Sequence, residues 1–216
     1  SEQRGAQIRL EHLDIQHFVR CRVTSTNKNS KEGLYTVIRC TEADNKLVHY
    51  FLYIISPILK ILGSTPTFSE ISRVITYLVE LFRALAQPPI KSVSGLWAEL
   101  FVIKNSSKPK ELMNAWHSTP EEKYDFNSGF QRIEIKSTSQ RQRIHNFSLE
   151  QLTPPTGCQV MIASLFVERS GGGSSLGNLL KEVRELFIAS PESQEKLDRI
   201  VALTLGNTLH QSLTNR

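Results

Sequence analysis

Cysteine is scarce in this chain of 216 residues, and the three that occur, Cys21, Cys40 and Cys158, are far apart. Their number is odd, and their spacing matches neither a disulfide framework nor a zinc site. Because unpaired thiols fit a reducing compartment, we expect a cytoplasmic protein.

Long apolar runs are also missing. The sequence has no stretch of about 18 apolar residues and no leader that combines basic and apolar residues, so we expect neither a membrane-spanning nor a secreted protein. No serine or cysteine has the partners of a nucleophilic triad. Five histidines form no metal-ligand spacing: His12, His17, His49, His117 and His210.

The residues that are present can build one sizeable core, or a core domain with a small appendage, since 39% of the chain is hydrophobic. The formal net charge of +5 and the pI near 9.2 suit a polyanionic partner. The excess of positive charge is mild, and no basic tail is present.

Residues 1–90 are predicted to form a small β-rich subdomain with a long helix. Strand-like runs that indicate an antiparallel sheet lie at 7–25, 33–41 and 46–55. A short helix is expected at 54–62 and a longer one at 69–85. Pro88 and Pro89 end the longer helix and place the domain boundary before residue 91.

Residues 91–216 are predicted to form a second domain of helices and strands. The expected elements are a helix at 94–103, a hairpin at 124–136, a third strand at 144–147, a short helix opened by the capping box Ser148–Gln151, a central buried strand at 160–167 and helices from 176 and at 191–203.

The hairpin carries the most informative residues of the chain, Asp125, Glu134 and Lys136. Ile133 and Ile135 alternate with charged residues, so this strand has one apolar and one charged face. Carboxylate oxygens suit a hard divalent cation such as Mg²⁺, and a neighbouring lysine can orient a water that attacks a phosphodiester. The pattern predicts a metal-dependent nuclease site if the three side chains converge.

Convergence depends on the register of the hairpin. A two-residue loop at Ser128–Gly129 places Asp125 opposite Arg132 and on the face of Glu134, whereas a three-residue loop at Asn127–Gly129 turns Asp125 to the isoleucine face. A glycine at the second loop position favours the first register.

The spacing of Glu134 and Lys136 is weakly specific on its own. An acidic residue two positions before a lysine also occurs in the polar run Thr41–Lys46, which indicates a hairpin tip, and at Glu121–Lys123. A solvated strand face with a cross-strand ion pair is therefore an open alternative to a catalytic role.

A third acidic residue, Glu99, lies on the predicted helix at 94–103 between Leu96 and Ile103. An ionised carboxylate on such an apolar surface is costly unless it is paired or near a cation. Glu99 is thus either bonded to a buried arginine, or reaches the rim, or completes a metal site.

A helix with a glutamate, then a strand with an aspartate and a strand with Glu-X-Lys, resembles the core of the PD-(D/E)XK phosphodiesterase superfamily, which includes restriction endonucleases. More narrowly, the chain resembles one bacterial family of PD-(D/E)XK proteins encoded near restriction-modification and phage-defence genes. The segments that carry this resemblance are Gly95–Leu100, Trp116, Tyr124–Phe126, Ile133–Thr138, His145, Ser148–Leu152 and Ser175–Leu176.

The resemblance implies an α/β fold with a restriction endonuclease-like α-β-β-β-α-β core and a mixed sheet. It makes Asp125, Glu134 and Glu99 metal ligands and Lys136 the catalytic lysine, with Mg²⁺ as the cofactor and Mn²⁺ as a substitute. Tyr124 stands where the superfamily name has proline. The implied activity is endonucleolytic hydrolysis of DNA in restriction or phage defence.

The resemblance also bears on partners. It implies DNA, and a second copy of the chain or other defence-system subunits. Family members run longer at the C-terminus and this chain begins at Ser1 rather than methionine, so we expect a trimmed chain whose missing part holds partner-binding or DNA-reading elements.

A basic region follows the proposed catalytic strand. Arg132, Arg141 and Arg143 would contact phosphates or reach a groove, and His145 would contact a phosphate or assist proton transfer. A solvated loop and a structural histidine are the open alternatives.

Two other functions stay open. The first is an inactive relative that binds nucleic acid or a restriction-system partner on the same scaffold. The second is an assembly subunit whose N-terminal sheet and helix at 69–85 mediate contacts, with the carboxylates being incidental.

Overall fold

The computed structural model describes residues 7–26, 29–41, 45–168, 170 and 172–213. The chain forms two compact units, the first ending at Arg83 and the second beginning at Ala84. Each unit contains a three-stranded sheet and helices, so the protein is of the mixed α/β class.

The first unit begins with an antiparallel sheet of order β1-β2-β3, formed by β1 (Ile8–Arg9), β2 (Leu13–Thr24) and β3 (Ser30–Cys40). The predicted strands at 7–25 and 33–41 are thereby confirmed. Leu13 and Ile15 of β2 are fully buried and anchor the sheet in the core.

The predicted strand at 46–55 is wrong, because Asn45–Leu62 forms one helix, α1. Its buried residues recur at helical rather than alternating spacing: Leu47, Tyr50, Phe51, Ile54 and Ile55. The predicted short helix at 54–62 is only the second half of α1. The predicted hairpin tip at Thr41–Lys46 falls mainly on residues 42–44, which lie outside the described residues, and Asn45 is the first residue of α1.

The predicted helix at 69–85 is confirmed as α2 (Phe68–Leu85). Its apolar face includes Leu78, Leu81 and Phe82, which are almost completely buried. No helix among the described residues is long and apolar enough to cross a membrane.

The second unit holds most of the remaining elements. In chain order these are α3 (Val93–Asn105), α4 (Pro109–Ala115), β4 (Phe126–Ser128), β5 (Gln131–Thr138), α5 (Leu149–Leu152), β6 (Gln159–Phe166), α6 (Leu176–Leu186), α7 (Pro191–Leu205), a 3-10 turn (Gly206–Thr208) and α8 (Leu209–Ser212). The Ser148 capping box is confirmed, with Ser148 and Gln151 satisfying each other's backbone N–H groups.

The sheet of the second unit has the order β4-β5-β6, with β4 antiparallel and β6 parallel to β5. The mixed sheet matches the expectation, but residues 144–147 do not form the predicted third strand. In the described residues the short helix α5 follows the hairpin directly, and β6 comes after it. The described order is therefore not the expected run of three strands before a helix.

The hairpin register differs from both registers that the sequence suggested. Phe126 pairs with Ile133 and Ser128 with Gln131, so the two loop residues are Gly129 and Phe130. Gly129 has a φ of +52°, which suits the first position of a tight hairpin loop. This register differs by two residues from the first predicted one, a shift that keeps each paired residue on its expected face, and Asp125 lies one residue before β4.

Strand β6 is less buried than its apolar sequence predicts. Met161 and Ile162, which point to opposite faces, are 48% and 49% exposed. Within the described part of the chain β5 is its only partner strand, so β6 is an edge strand and the predicted central position is wrong.

Helix α3 is the central helix of the second unit and contacts β5, α6 and α7. It begins after the N-cap Ser92, whose side chain accepts a hydrogen bond from the Gly95 backbone N–H. Leu96, Leu100 and Ile103 on this helix are completely buried. Packing of α3 therefore fixes the direction of the side chains on its buried face.

We expect Leu100→Ala to lower the free energy of unfolding by about 2–5 kcal/mol, because it removes buried methyl groups and leaves a cavity. Urea titration followed by circular dichroism measures the loss. Leu186→Ala, at a position that is 45% exposed, is the matched control and should cost less than about 1 kcal/mol. Equal losses in both variants would contradict the central position of α3.

Candidate metal centre

Three pieces of chain meet in the second unit: helix α3 with Glu99, the residues after α4 with His117, and the β4–β5 hairpin with Glu134, a hairpin that Asp125 directly precedes. Trp116 forms an isolated antiparallel bridge with Phe126, and the backbone N–H of His117 donates to the Asp125 carbonyl over 2.9 Å. This pairing continues the sheet by one short segment and sets His117 beside Asp125.

Lys196 of α7 holds this segment from the other side. Its ammonium group donates to the carbonyl oxygens of Met113, Asn114 and Trp116 over 2.9, 3.1 and 2.5 Å. A cation at carbonyls left open by a helix end is favourable. Burial lowers the pKa of Lys196. The contact ties α7 to the residues that precede His117.

Glu99 projects from α3 into this junction and is only 3% exposed. Its Oε2 accepts hydrogen bonds from Trp116 Nε1 over 2.7 Å and from His117 Nε2 over 2.9 Å. The His117 Nδ1 is buried and has no hydrogen-bond partner among the described residues. Glu99 is thus neither at the rim nor paired with a buried arginine.

Asp125 is buried next to Glu99. Its Oδ2 accepts from the backbone N–H of Ile135 over 2.7 Å, which fixes the carboxylate against β5. Its Oδ1 is 2.9 Å from the Lys91 Nζ, and the same ammonium group lies 3.2 Å from Glu99 Oε1. Lys91 therefore bridges the two carboxylates.

Glu134 and Lys136 form a second pair on the neighbouring strand β5. Lys136 Nζ is 2.7 Å from Glu134 Oε1 and lies over the Phe147 ring at 5.1 Å. Gln151 Nε2 donates to the same Glu134 oxygen over 2.8 Å. The pair is thus held by the short helix α5 as well as by the strand.

Tyr124, at the position of the superfamily proline, is buried and orients α5. Its hydroxyl donates to the backbone carbonyls of Glu150 and Gln151 over 3.4 and 3.2 Å. The Gln151 amide also donates to the Lys123 carbonyl over 3.2 Å. These bonds keep the Gln151 side chain at Glu134.

The surroundings shift the pKa values of Asp125 and Glu99 in opposite directions. Burial, together with the negative charges of Glu99 and Glu134, raises the pKa of Asp125 to about 6. Burial also acts to raise the pKa of Glu99, but the His117 hydrogen bond, the Lys91 charge and the Trp116 N–H outweigh it and lower that pKa.

The two carboxylates also shift the pKa of Lys91. Burial acts to lower it, but the charges of Glu99 and Asp125 outweigh the burial, so the pKa of Lys91 lies above its ordinary value. The ammonium form is therefore the one that bridges the carboxylates.

Glu99, His117 and Asp125 could hold a metal ion. Each offers one ligand atom, and these atoms all lie within 4.8 Å of one another. Ligand atoms around one octahedral Mg²⁺ lie about 3–4 Å apart, so a small contraction would bring the three to that spacing. Glu134 is not a member of this compact group.

The other sequence-predicted residues lie outside the acidic cluster. Arg132 donates to the carbonyls of Gly129 and Gln131 and so stabilises the hairpin loop. Arg141 and Arg143 are exposed, and Arg143 donates to the Ser164 carbonyl over 3.3 Å. His145 is 2.7 Å from the Ser164 hydroxyl.

Of the two other acidic-X-Lys sequences, the one at Glu121–Lys123 does not join this cluster, since Glu121 is exposed. The middle residue, Glu122, accepts hydrogen bonds from the backbone N–H groups of Ser118 and Thr119 and so stabilises a turn. Asp44 lies outside the described residues.

Sequence reasoning missed three residues of this site, Lys91, His117 and Gln151. His117 shows no ligand spacing because its partners are 18 residues before and 8 residues after it in the chain. Trp116, directly beside it, was already among the residues that carry the family resemblance. For Lys91 the sequence offers no signal beyond its place before α3.

The family model described as "Putative PD-(D/E)XK family member, (DUF4420)" matches residues 1–216 of the chain. Neither a search of curated proteins nor one of solved structures gave a match.

Without metal, stability should depend on pH through Asp125. Its folded pKa of about 6 exceeds its ordinary value of 3.8, so the folded state binds more protons and the contribution is lost as pH rises. We expect the free energy of unfolding of the wild type, minus that of Asp125→Asn, to fall by about 2 kcal/mol from pH 4 to pH 7. Urea titrations in EDTA measure it, and a constant difference would contradict the assigned pKa.

Proposed function

The chain belongs to this PD-(D/E)XK family, whose model spans its whole length, and from this membership and the buried acidic site we propose that the protein is a divalent-metal-dependent nuclease that hydrolyses phosphodiester bonds in DNA. Nuclease-type function is what the family suggests. That the substrate is DNA, that the metal is a divalent cation and that the role is in defence are parts of our proposal.

The observation that carries the proposal is the burial of Glu99 and Asp125 side by side. Two carboxylates at 3% and 6% exposure are costly in a site that serves only stability. Burial, and after it the charge of Glu99, raises the pKa of Asp125, and perturbed acids in one cluster are typical of functional sites. A divalent cation offsets this repulsion directly.

Asp125 and Glu99, with Glu134 beside them, would hold Mg²⁺, and Mn²⁺ would substitute for it. His117 lies close enough to act as a further ligand, or to orient Glu99 through their hydrogen bond. When bound, the cation would lower the pKa of an attacking water and neutralise charge that builds on the phosphate.

Lys136 is the proposed catalytic lysine. Its ammonium group is fixed by Glu134 Oε1 at 2.7 Å, and its side chain remains 22% exposed, so it can reach a substrate from the site. It would orient the attacking water and donate hydrogen bonds to the phosphate. Gln151 keeps Glu134 in position for this role.

Arg141 and Arg143 would bind the DNA backbone. Both are exposed and follow β5, the strand that carries Lys136. Phosphate contacts by such residues give affinity and orientation rather than sequence recognition. Arg132 and His145 would contribute at the margins, since their side chains bond to the loop and to Ser164.

We place the activity in bacterial restriction or phage defence, as the family resemblance implies. A cytoplasmic location agrees with three free thiols. Cutting both strands of DNA would need two active centres, so a homodimer or a complex with other defence-system subunits is the proposed working form.

A second candidate is an inactive relative that binds nucleic acid or a restriction-system partner. The Lys91 ion pairs favour it, because a lysine already neutralises part of the charge between Glu99 and Asp125. Such a protein would bind DNA without metal and would not cleave it.

We expect Lys136→Met to reduce Mg²⁺-dependent cleavage of DNA at least about 100-fold. The variant lacks the ammonium group that would orient the attacking water and donate hydrogen bonds to the phosphate. Glu134→Gln should have a similar effect. Cleavage of a fluorescent duplex and of a single strand, with Mg²⁺ and with EDTA, measures both variants.

Lys108→Met is the matched control, since it removes the same charge at a side chain that is 67% exposed on the same unit. Circular dichroism checks that each variant is folded. Cleavage that survives in folded Lys136→Met would contradict the catalytic role. DNA binding without any cleavage by the wild type would favour the inactive relative.

The joint variant Arg141→Ala, Arg143→Ala should weaken DNA binding and make it less sensitive to salt, because fewer counterions are released. Each lost phosphate contact lowers the slope of log K against log salt by about 0.9 for duplex DNA. Fluorescence anisotropy in Ca²⁺ at several salt concentrations measures the slope. An unchanged slope would mean that DNA binds at a surface that does not include Arg141 and Arg143.

A further inference from the structure

Lys91 is the one cation in direct contact with both buried acids of the described cluster. Its Nζ lies 2.9 Å from Asp125 Oδ1 and 3.2 Å from Glu99 Oε1. The other oxygens of these carboxylates are engaged by Ile135 N–H and by Trp116 and His117. The two oxygens that face Lys91 are thus those left for a cation.

The backbone of Lys91 is anchored independently of its side chain. The N–H groups of Ile90 and Lys91 donate to the Thr204 carbonyl over 2.9 and 3.4 Å. The N–H of Asn207 donates to the Gln87 carbonyl over 2.8 Å. The segment before α3 is therefore bound to the end of α7, and the ammonium is presented to the acids from a fixed point.

An ammonium group and a divalent ion cannot share this gap. Both would need the same carboxylate oxygens, and two positive charges a few ångströms apart in a buried site repel strongly. The Lys91 side chain is 26% exposed, so its long flexible stem has a route toward solvent. Exchange is therefore feasible without moving the backbone.

We propose that the Lys91 ammonium occupies the cation position between Glu99 and Asp125 in the metal-free protein, and that a divalent ion binds only as this group leaves. The proposal rests on the metal site proposed above. Lys91 then sets the metal concentration at which the site fills, because every ion must replace an ion pair that the protein already makes.

The competition predicts a specific pattern of metal affinity. Lys91→Met removes the competing charge and keeps much of the side-chain length, so we expect Mn²⁺ to bind at least about tenfold more tightly than to the wild type. Lys91→Arg retains a cation and should bind no more tightly than the wild type. Lys108→Met controls for loss of net charge and should leave the affinity unchanged.

Isothermal titration calorimetry of the metal-free chain with Mn²⁺, with Asp125→Ala as a site control, tests the pattern. Tighter binding by Lys91→Met supports the proposal, including the case in which the wild type binds too weakly to measure. Wild-type binding that is lost in Asp125→Ala but not strengthened in Lys91→Met overturns this proposal alone. Absence of binding in every variant overturns it together with the metal-dependent nuclease.

If Lys91→Met does not fold, a measurement on the wild type tests the same proposal. Acetylation of lysines by an amine-reactive ester, followed by peptide mass spectrometry, reports how accessible each amine is. We expect saturating Mn²⁺ to increase the modification of Lys91 several-fold and to leave Lys108 unchanged. Reactivity of Lys91 that stays constant or falls on metal binding overturns the exchange.

Discussion

The buried carboxylate of Glu99 is the constraint on which the second unit depends. Glu99 lies on the buried face of helix α3, with Leu96, Leu100 and Ile103, so its charge must be satisfied in place. Trp116, His117 and Lys91 do this from two separate segments. One side chain therefore fixes the position of α3 relative to the sheet and to the residues before it.

The sequence was a good guide where one periodicity dominates. The apolar spacing of 69–85 and the capping box at Ser148 each determine their own element, and α2 and α5 were predicted for that reason. The predicted strand at 46–55 was wrong because a continuous apolar run fits a strand or a helix. Tertiary packing favours the helix here. Likewise, the apolar sequence of β6 gives no indication that this strand lies at the edge of its sheet.

For the site, sequence reasoning found the residues that are close along the chain. The loop was misplaced by two residues, a shift that preserves the face of each paired strand residue, and the Asp125 carboxylate does reach β5, where it accepts from the Ile135 N–H. Lys91 and His117 could not be found in this way. Their contacts join segments that only the packing of α3 and α7 brings together, and no local pattern encodes that packing.

Hydrogen bonds from α7 position residues of the acidic centre directly. The ammonium group of Lys196 donates a hydrogen bond to the Trp116 carbonyl, and the Thr204 carbonyl accepts from the backbone N–H of Lys91. A version of this protein shortened after β6 would retain Glu99, Asp125, Glu134 and Lys136, yet lose the α7 contacts that position Trp116 and Lys91. The boundaries of a minimal functional fragment are thus set by α7, not by the last residue of the motif.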